Sequence, residues 1–233
     1  MKNAVSEVDC IRVNGDNRET RRETIAVEAQ MQLTVNGKHV TNFLYSPGWG
    51  EQLVVGFLVS SRLIQNIGSI EKIEIENEYG KVTISNEEDK LARLQNLGIT
   101  VSHRQLIEIR DTLLEKQQRH RASRGFHGAI IWELSTRRYF VCEDIGRHNA
   151  VDKVIGYALQ KNYNPAQCMI LISGRLVSNI VSKGRNAGIP LMASMTVATD
   201  KGIEQASDSE MTLVGSLSDE GFWLYNEGVV RVT

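Results

Sequence analysis

A chain of 233 residues with a formal net charge of -1 is long enough for one large domain or two small ones, and it buries about 70% of its unfolded surface without needing staples. That charge balance gives no general attraction to DNA, RNA or an anionic membrane, so nucleic acid and membrane are not expected partners and any anion binding must be local. Three scattered cysteines, Cys10, Cys142 and Cys168, form no CxxC and exclude both a disulfide framework and a thiolate zinc knuckle.

The opening MKNAVSEVDC has no apolar signal core and no run approaches the length of a membrane span, so a cytoplasmic location is expected. RVNGDNRETRRET, at 12–24, is nearly all polar or charged, and residues 1–23 read as a flexible or surface-laid leader. Residues 24–86 read as a small amino-terminal domain of hairpins and one helix. TIAVEAQMQLTV alternates apolar and polar residues, Asn36-Gly37 supplies a tight turn, and KHVTNFLYS returns. GEQLVVGFLVSSRLI then shifts to helical spacing, and SIEKIEIENEYGKVTIS returns to period two around a Gly turn.

Beyond a boundary placed near residue 86, residues 87–124 read as a linker and an amphipathic helix with Leu106, Ile109 and Leu113 on one face. From residue 125 to 233, strand-like runs (GAIIWEL, YFVCEDI, CMILIS, PLMASM, MTLVGSL and GFWLY) alternate with helices at 149–161, 177–187 and 199–207. That alternation predicts an α/β layer whose strands are buried on both faces.

EDIGRHNAVDKVIG, residues 143–156, places Asp144, Arg147, His148 and Asn149 at a strand-to-helix junction. With Gly146 as the turn and Asn149 as the helix cap, free N–H groups at the helix start and the Arg147 fork would both favour a phosphate. A bland alternative is open at this stage: Glu143 or Asp144 simply pairs with Arg147. A second junction repeats the device, with Ser173, Gly174 and Arg175 ending an apolar strand before a helix capped by Ser178 or a neighbour. In open α/β sheets such junctions line one crevice at the carboxyl ends of the strands. His127 starts a third apolar strand, while Cys142 and Cys168 lie inside strands and are expected to be inert core residues. No GxxxxGK[ST] loop, HxE with PCxxC, or GxSxG elbow is present, so a P-loop nucleotidase, a zinc deaminase and an elbow hydrolase lack their machinery.

The run EDIGRHNAVDKVIG, followed by SGR, AGIPLMAS, TLVG and GFWLY and preceded by VEAQMQLTVNG and SPGWGEQLVVGFL, resembles the FdhD/NarQ family of formate dehydrogenase accessory proteins from about residue 24 onward. The resemblance implies a cytidine-deaminase-like carboxyl-terminal three-layer domain without zinc, a smaller amino-terminal domain, and a homodimer. It also implies sulfur transfer from a cysteine desulfurase to a molybdenum or tungsten bis(molybdopterin guanine dinucleotide) bound for formate dehydrogenase. The family's carboxyl-terminal cofactor segment corresponds to Gly215, Ser216, Leu217, Ser218, Asp219, Glu220 and Gly221. The family's CxxC has no counterpart in DKLARLQNLGITVSHRQL, so no catalytic residue is assigned, and a module that binds cofactor or guanine nucleotide without sulfur transfer is the alternative.

Overall fold

The computed structural model describes residues 3–85 and 93–233. Strands β1 (Val5–Asn14) and β2 (Asn17–Ala26) pair antiparallel along their whole length, with Gly15 at φ 59° in the turn. The expected leader is therefore a regular two-stranded ribbon. Its residues are almost all exposed, so no core drives it; cross-strand partners such as Asp9 and Arg22, 3.4 Å apart, and Arg12 opposite Glu19 fit the ladder instead. Only β2 has the polar composition of a leader; the apolar residues of β1, Val8, Ile11 and Val13, are exposed and do not form the one-sided pattern that marks a half-buried strand.

Next, β3 (Ala29–Val35) and β4 (Lys38–Tyr45) form the expected hairpin, with Asn36 and Gly37 both at positive φ, 47° and 76°. Helix α1 (Gly50–Ser60) follows, then β5 (Ile70–Glu76) and β6 (Tyr79–Ile84), giving a four-stranded sheet ordered β4-β3-β6-β5. The turn between β5 and β6 is centred on Asn77, at φ 54°, and not on the glycine. Gly80 lies within β6, where a Cβ would come within 3.0 Å of Met31 Sδ.

The larger part comprises β7 (Thr100–Val101), α2 (His103–Lys116), α3 (Gln118–Ser123), β8 (His127–Glu133), β9 (Tyr139–Asp144), α4 (Arg147–Gln160) and β10 (Cys168–Ile172). It continues with α5 (Ser178–Asn186), β11 (Leu191–Ser194), α6 (Asp200–Asp208), β12 (Thr212–Ser218), β13 (Gly221–Asn226) and β14 (Arg231–Val232). Ser102 and Gln105 close a reciprocal capping box at the start of α2. Six strands form one mixed sheet, ordered β13-β12-β11-β10-β8-β9, with β10, β11 and β12 parallel. One face, through Ala129, Ile131, Ile170 and Ile172, packs on Val151, Val154 and Ile155 of α4 and Ile180 of α5. The other, through Ile130, Trp132, Met169 and Leu171, packs on Leu106, Ile109 and Leu113 of α2. Covering both faces explains why these strands are apolar at nearly every position. This is the mixed α/β architecture expected.

The boundary expected near residue 86 falls outside the described residues. On either side of it the core is continuous: Met31, Leu33, Leu53 and Leu58 belong to the same buried cluster as Val151 and Ile155. Helices α1 and α4 meet backbone to backbone. A Cβ on Gly56 would stand 1.8 Å from the Asp152 carbonyl oxygen, and one on Gly156 would stand 2.0 Å from that of Gln52. Neither obstacle is a flexible side chain that could swing aside. Gly156→Ala is thus expected to push the two helices apart and to lower unfolding free energy by about 3 kcal/mol, read as a shift of the urea midpoint. An unchanged midpoint would mean that this crossing does not hold the two parts together.

Candidate anion-binding site

Because β8 runs antiparallel to β10, its first residue lies beside the carboxyl end of β10, and β9 ends at the same rim. Ser173 extends the ladder by one residue: its N–H donates to the Gly128 carbonyl at 2.9 Å, and its Oγ accepts from the Gly128 N–H at 2.9 Å. The chain then turns at buried Gly174. A Cβ there would lie 3.4 Å from Arg147 Cδ and 3.6 Å from His127 Nδ1. Three junctions predicted separately, His127, Arg147 and Gly174, therefore converge.

The rim continues through residues that sequence reasoning missed. Ser194 Oγ donates to the Gly174 carbonyl at 2.7 Å and accepts from the Thr196 N–H at 2.9 Å, and the Thr196 carbonyl accepts from the Ser216 N–H at 2.7 Å. The available signal was the polar Ser-Met-Thr step closing an apolar strand. Parallel pairing of β10, β11 and β12 is what sets that step between the two expected segments.

Several expected roles change. Helix α4 starts at Arg147 with Gly146 as its cap, so Asn149 does not cap it. The Asn149 amide instead donates to the Leu44 carbonyl at 2.7 Å and to Asp144 Oδ1 at 3.0 Å. Ser178 does not cap α5 either; Val177 holds that position, and neither helix has a side-chain cap. Both starts therefore retain N–H groups without side-chain acceptors. Lys183 of α5 pairs with buried Asp152 at 2.8 Å.

Asp144 lies beneath the rim. It is 0% exposed, and its Oδ2 sits 2.6 Å from Lys153 Nζ, also 0% exposed. Oδ2 also accepts from the Ser46 N–H at 3.1 Å, and Oδ1 accepts from the Gly146 N–H at 2.9 Å. Glu143 accepts from the backbone N–H groups of Arg119 and His120, at 2.9 and 2.7 Å. Neither carboxylate pairs with Arg147, which removes the bland alternative.

Half-buried Arg147 and His148 each keep one buried nitrogen, Nε and Nε2 respectively, with no hydrogen-bond partner among the described residues. Such groups are costly unless something outside the chain satisfies them. Burial holds the His127 pKa below its ordinary 6.5, and the Arg147 charge lowers it further. His148 is lowered chiefly by burial, against a hydrogen bond that its protonated ring donates to Asn179 and that raises it. Both imidazoles are consequently neutral at pH 7, leaving Arg147 as the charge at this junction.

Arg175 is exposed. Of the carboxyl-terminal segment, Gly215 packs against the Thr196 carbonyl and Ser216 donates to it, whereas Leu217 is buried among the residues packed on α2. Ser218, Asp219, Glu220 and Gly221 make the turn between β12 and β13. That turn is docked on α2: Asp219 pairs with Arg110 at 2.7 Å, and His103 Nε2 lies 3.1 Å from the Ser218 carbonyl. Burial pushes the Cys142 and Cys168 thiols up to about 12, as core residues, while Cys10 is exposed on β1. Among the described residues no group of three His, Cys, Asp or Glu side chains could hold a metal ion.

The FdhD/NarQ family model matches residues 26–98 and 85–231. Protein FdhD of Methanocaldococcus jannaschii is 31% identical, with 96% of this chain and 97% of the relative covered. The sulfur carrier protein FdhD of Sulfolobus acidocaldarius is 28% identical, over 95% of this chain and 96% of the relative. A crystal structure of a candidate formate dehydrogenase accessory protein from Desulfotalea psychrophila superposes with a TM-score of 0.86 at 23% identity, covering 96% and 97% of the two chains.

The buried pair beneath the rim has a measurable consequence. Lys153→Met leaves Asp144 as an uncompensated buried charge and is expected to cost about 3–5 kcal/mol of stability by chemical denaturation. A loss below about 1 kcal/mol, the worth of an exposed pair, would show that water reaches Asp144.

Proposed function

The chain belongs to the FdhD/NarQ family, and from that premise we propose that it is an accessory protein for formate dehydrogenase maturation that holds the pyrophosphate of a guanine dinucleotide carried by molybdenum or tungsten. Residues 125–233 are read as a cytidine-deaminase-like domain in this proposal, working in the cytoplasm as part of a homodimer. The observation that supports it is the pair of buried, partnerless nitrogens, Arg147 Nε and His148 Nε2, beside an α4 start without a side-chain cap. Arginine and free helix-start N–H groups together suit a phosphate oxygen.

In this reading Arg147 supplies the fixed charge, and His127 lines the same wall against Gly174. Ser194 and Thr196 hold the loops that carry Gly174 and Ser216 in place. When bound, the metal dinucleotide would be the cargo awaiting sulfur. A cysteine desulfurase and formate dehydrogenase are the proposed upstream and downstream partners.

A second reading, cofactor holding without sulfur carriage, is favoured by the cysteines themselves. Cys142 and Cys168 are 3% and 0% exposed with thiols pushed up to about 12, so neither offers a thiolate. Cys10 is the exposed thiol, on a ribbon built around a ladder and not on a loop.

Calorimetry with GDP tests the site. Arg147→Ala is expected to lose about 2–5 kcal/mol of binding, whereas exposed Arg175 should matter less. Both imidazoles have pKa values held below 6.5 in the free protein, and a bound anion stabilises their protonated forms, so GDP should bind more tightly as pH falls from 8 towards 6. The sign appears as proton uptake in two buffers of different ionisation enthalpy; pH-independent binding, with Arg147→Ala equal to wild type in affinity, would remove Arg147 and the histidines from the site. Incubation with a cysteine desulfurase and cysteine separates the two readings. Mass spectrometry is expected to find no persulfide on Cys142 or Cys168, and any sulfur gained should disappear in Cys10→Ser.

A further inference from the structure

Strand β9 closes the six-stranded sheet, and among the described residues no strand pairs with its outer edge. Its register with β8 fixes which backbone groups face outward. Gly128 bonds with Ser173 on the β10 side, so Ala129 turns towards β9 and meets Cys142, and the Glu133 N–H likewise donates to the Arg138 carbonyl at 2.9 Å. By the two-residue repeat, Tyr139, Val141 and Glu143 direct their N–H and C=O groups away from β8.

A cavity of about 350 Å³ lies against all five residues from 139 to 143. Successive strand residues point to opposite faces, so a cavity touching all five must run along the edge and not over one face. Along Tyr139–Val141 the strand has no proline, no lysine and no bulge against β8; its charged residues, Glu143 and Asp144, lie buried at its far end.

The walls of this groove define an occupant. On one side stands Trp49, an aromatic residue held in the left-handed region at φ 58° and ψ 34°, with its ring 4.9 Å edge-on from Phe140. Such a conformation is costly for a side chain with a Cβ and accumulates where a surface must be presented in one way. On the other side stand Lys116 and Arg119. Glu143 is the carboxylate of the lining, and its two oxygens are already taken by the N–H groups of Arg119 and His120. Lys116 pairs at 2.8 Å with its exposed neighbour Glu115, a contact weak enough to exchange.

From these features we infer that an extended, acidic segment of a partner protein adds to the sheet as a strand along Tyr139–Glu143. Its backbone pairs with the outward groups of Tyr139 and Val141, an apolar side chain rests on Trp49, and its carboxylates meet Lys116 and Arg119. A second copy of this chain is the poorer occupant, because a two-fold axis at β9 would set the Lys116 and Arg119 of each copy around the same edge.

The test uses the full chain and a fluorescein-labelled seven-residue peptide alternating Glu or Asp with Val, followed by anisotropy. The acidic peptide is expected to bind about tenfold more tightly than its Lys-for-Glu/Asp counterpart, and Arg119→Ala should weaken it by a similar factor. Methylating alternate backbone amides of the peptide should abolish binding. Val141→Pro, a change that edge strands tolerate, should do the same. If that variant fails to fold, the methylated peptide still decides. Equal binding of the acidic and basic peptides, binding that survives methylation, or no binding of the acidic peptide would each overturn the inference. A dimer in analytical ultracentrifugation that Val141→Pro dissociates would assign the edge to a second copy and overturn it as well.

Discussion

The ion pair between Asp144 and Lys153 is the interaction on which the rest of the arrangement depends. Two fully buried charges 2.6 Å apart are tolerable only if their remaining hydrogen-bonding capacity is filled. It is filled from three directions. Asp144 takes N–H groups from Ser46 and Gly146 and the Asn149 amide, while Lys153 donates to the Ser46 carbonyl at 2.9 Å. Ser46 Oγ in turn accepts from the Ile145 N–H at 3.0 Å. The segment after β4, the end of β9 and the first two turns of α4 are thereby fixed to one another, and the direction in which α4 leaves the sheet follows.

That anchoring works because α1 comes close enough to share it. The glycines at the α1–α4 crossing allow the backbones to touch, and a second buried network seals the same contact: Ser60 donates to Asp152 Oδ1 at 2.6 Å while Lys183 approaches both Asp152 oxygens. The Asp152 node ties α1, α4 and α5 to one another, and the Asp144 node ties the start of α4 to β9 and to the segment after β4. Polar nodes in an apolar layer add little net stability, but they penalise any other register of the helices, because each slip strands a charge. The start of α4, where Arg147 and His148 stand, is located by this register and not by a cap of its own.

Hydrophobic period made most of the architecture legible. Runs such as CMILIS and GAIIWEL, apolar at nearly every position, are what a sheet covered on both faces requires, and Asn36-Gly37 marked its hairpin through backbone geometry alone. The convergence of His127, Arg147 and Gly174 was legible because ends of buried strands gather at one rim. What stayed hidden depended on long-range partners. Asp144 and Asn149 look like site residues in the sequence, yet their partners, Lys153, Leu44 and Ser46, include groups about a hundred positions away. Likewise the exposed β1–β2 ribbon has no buried apolar face to announce it, and Asn77 took the turn that a nearby glycine had suggested.

The same partnerships explain how a chain of nearly neutral charge makes a local cationic site. EDIGRHNAVDKVIG contains three carboxylates, and counting signs alone they would cancel the cations around them. The fold assigns each one elsewhere: Glu143 to the start of α3, Asp144 to Lys153, and Asp152 to Lys183. Lys153 is spent in that arrangement, and burial keeps His127 and His148 neutral at pH 7. What remains uncompensated at the rim is the Arg147 guanidinium and the helix N–H groups, and both donate hydrogen bonds. An anion entering there displaces no internal carboxylate, so its attraction is not offset by breaking an existing pair. Charge that looks balanced along the sequence is thus separated in space, with the negative groups locked into the frame and the donors left at its edge.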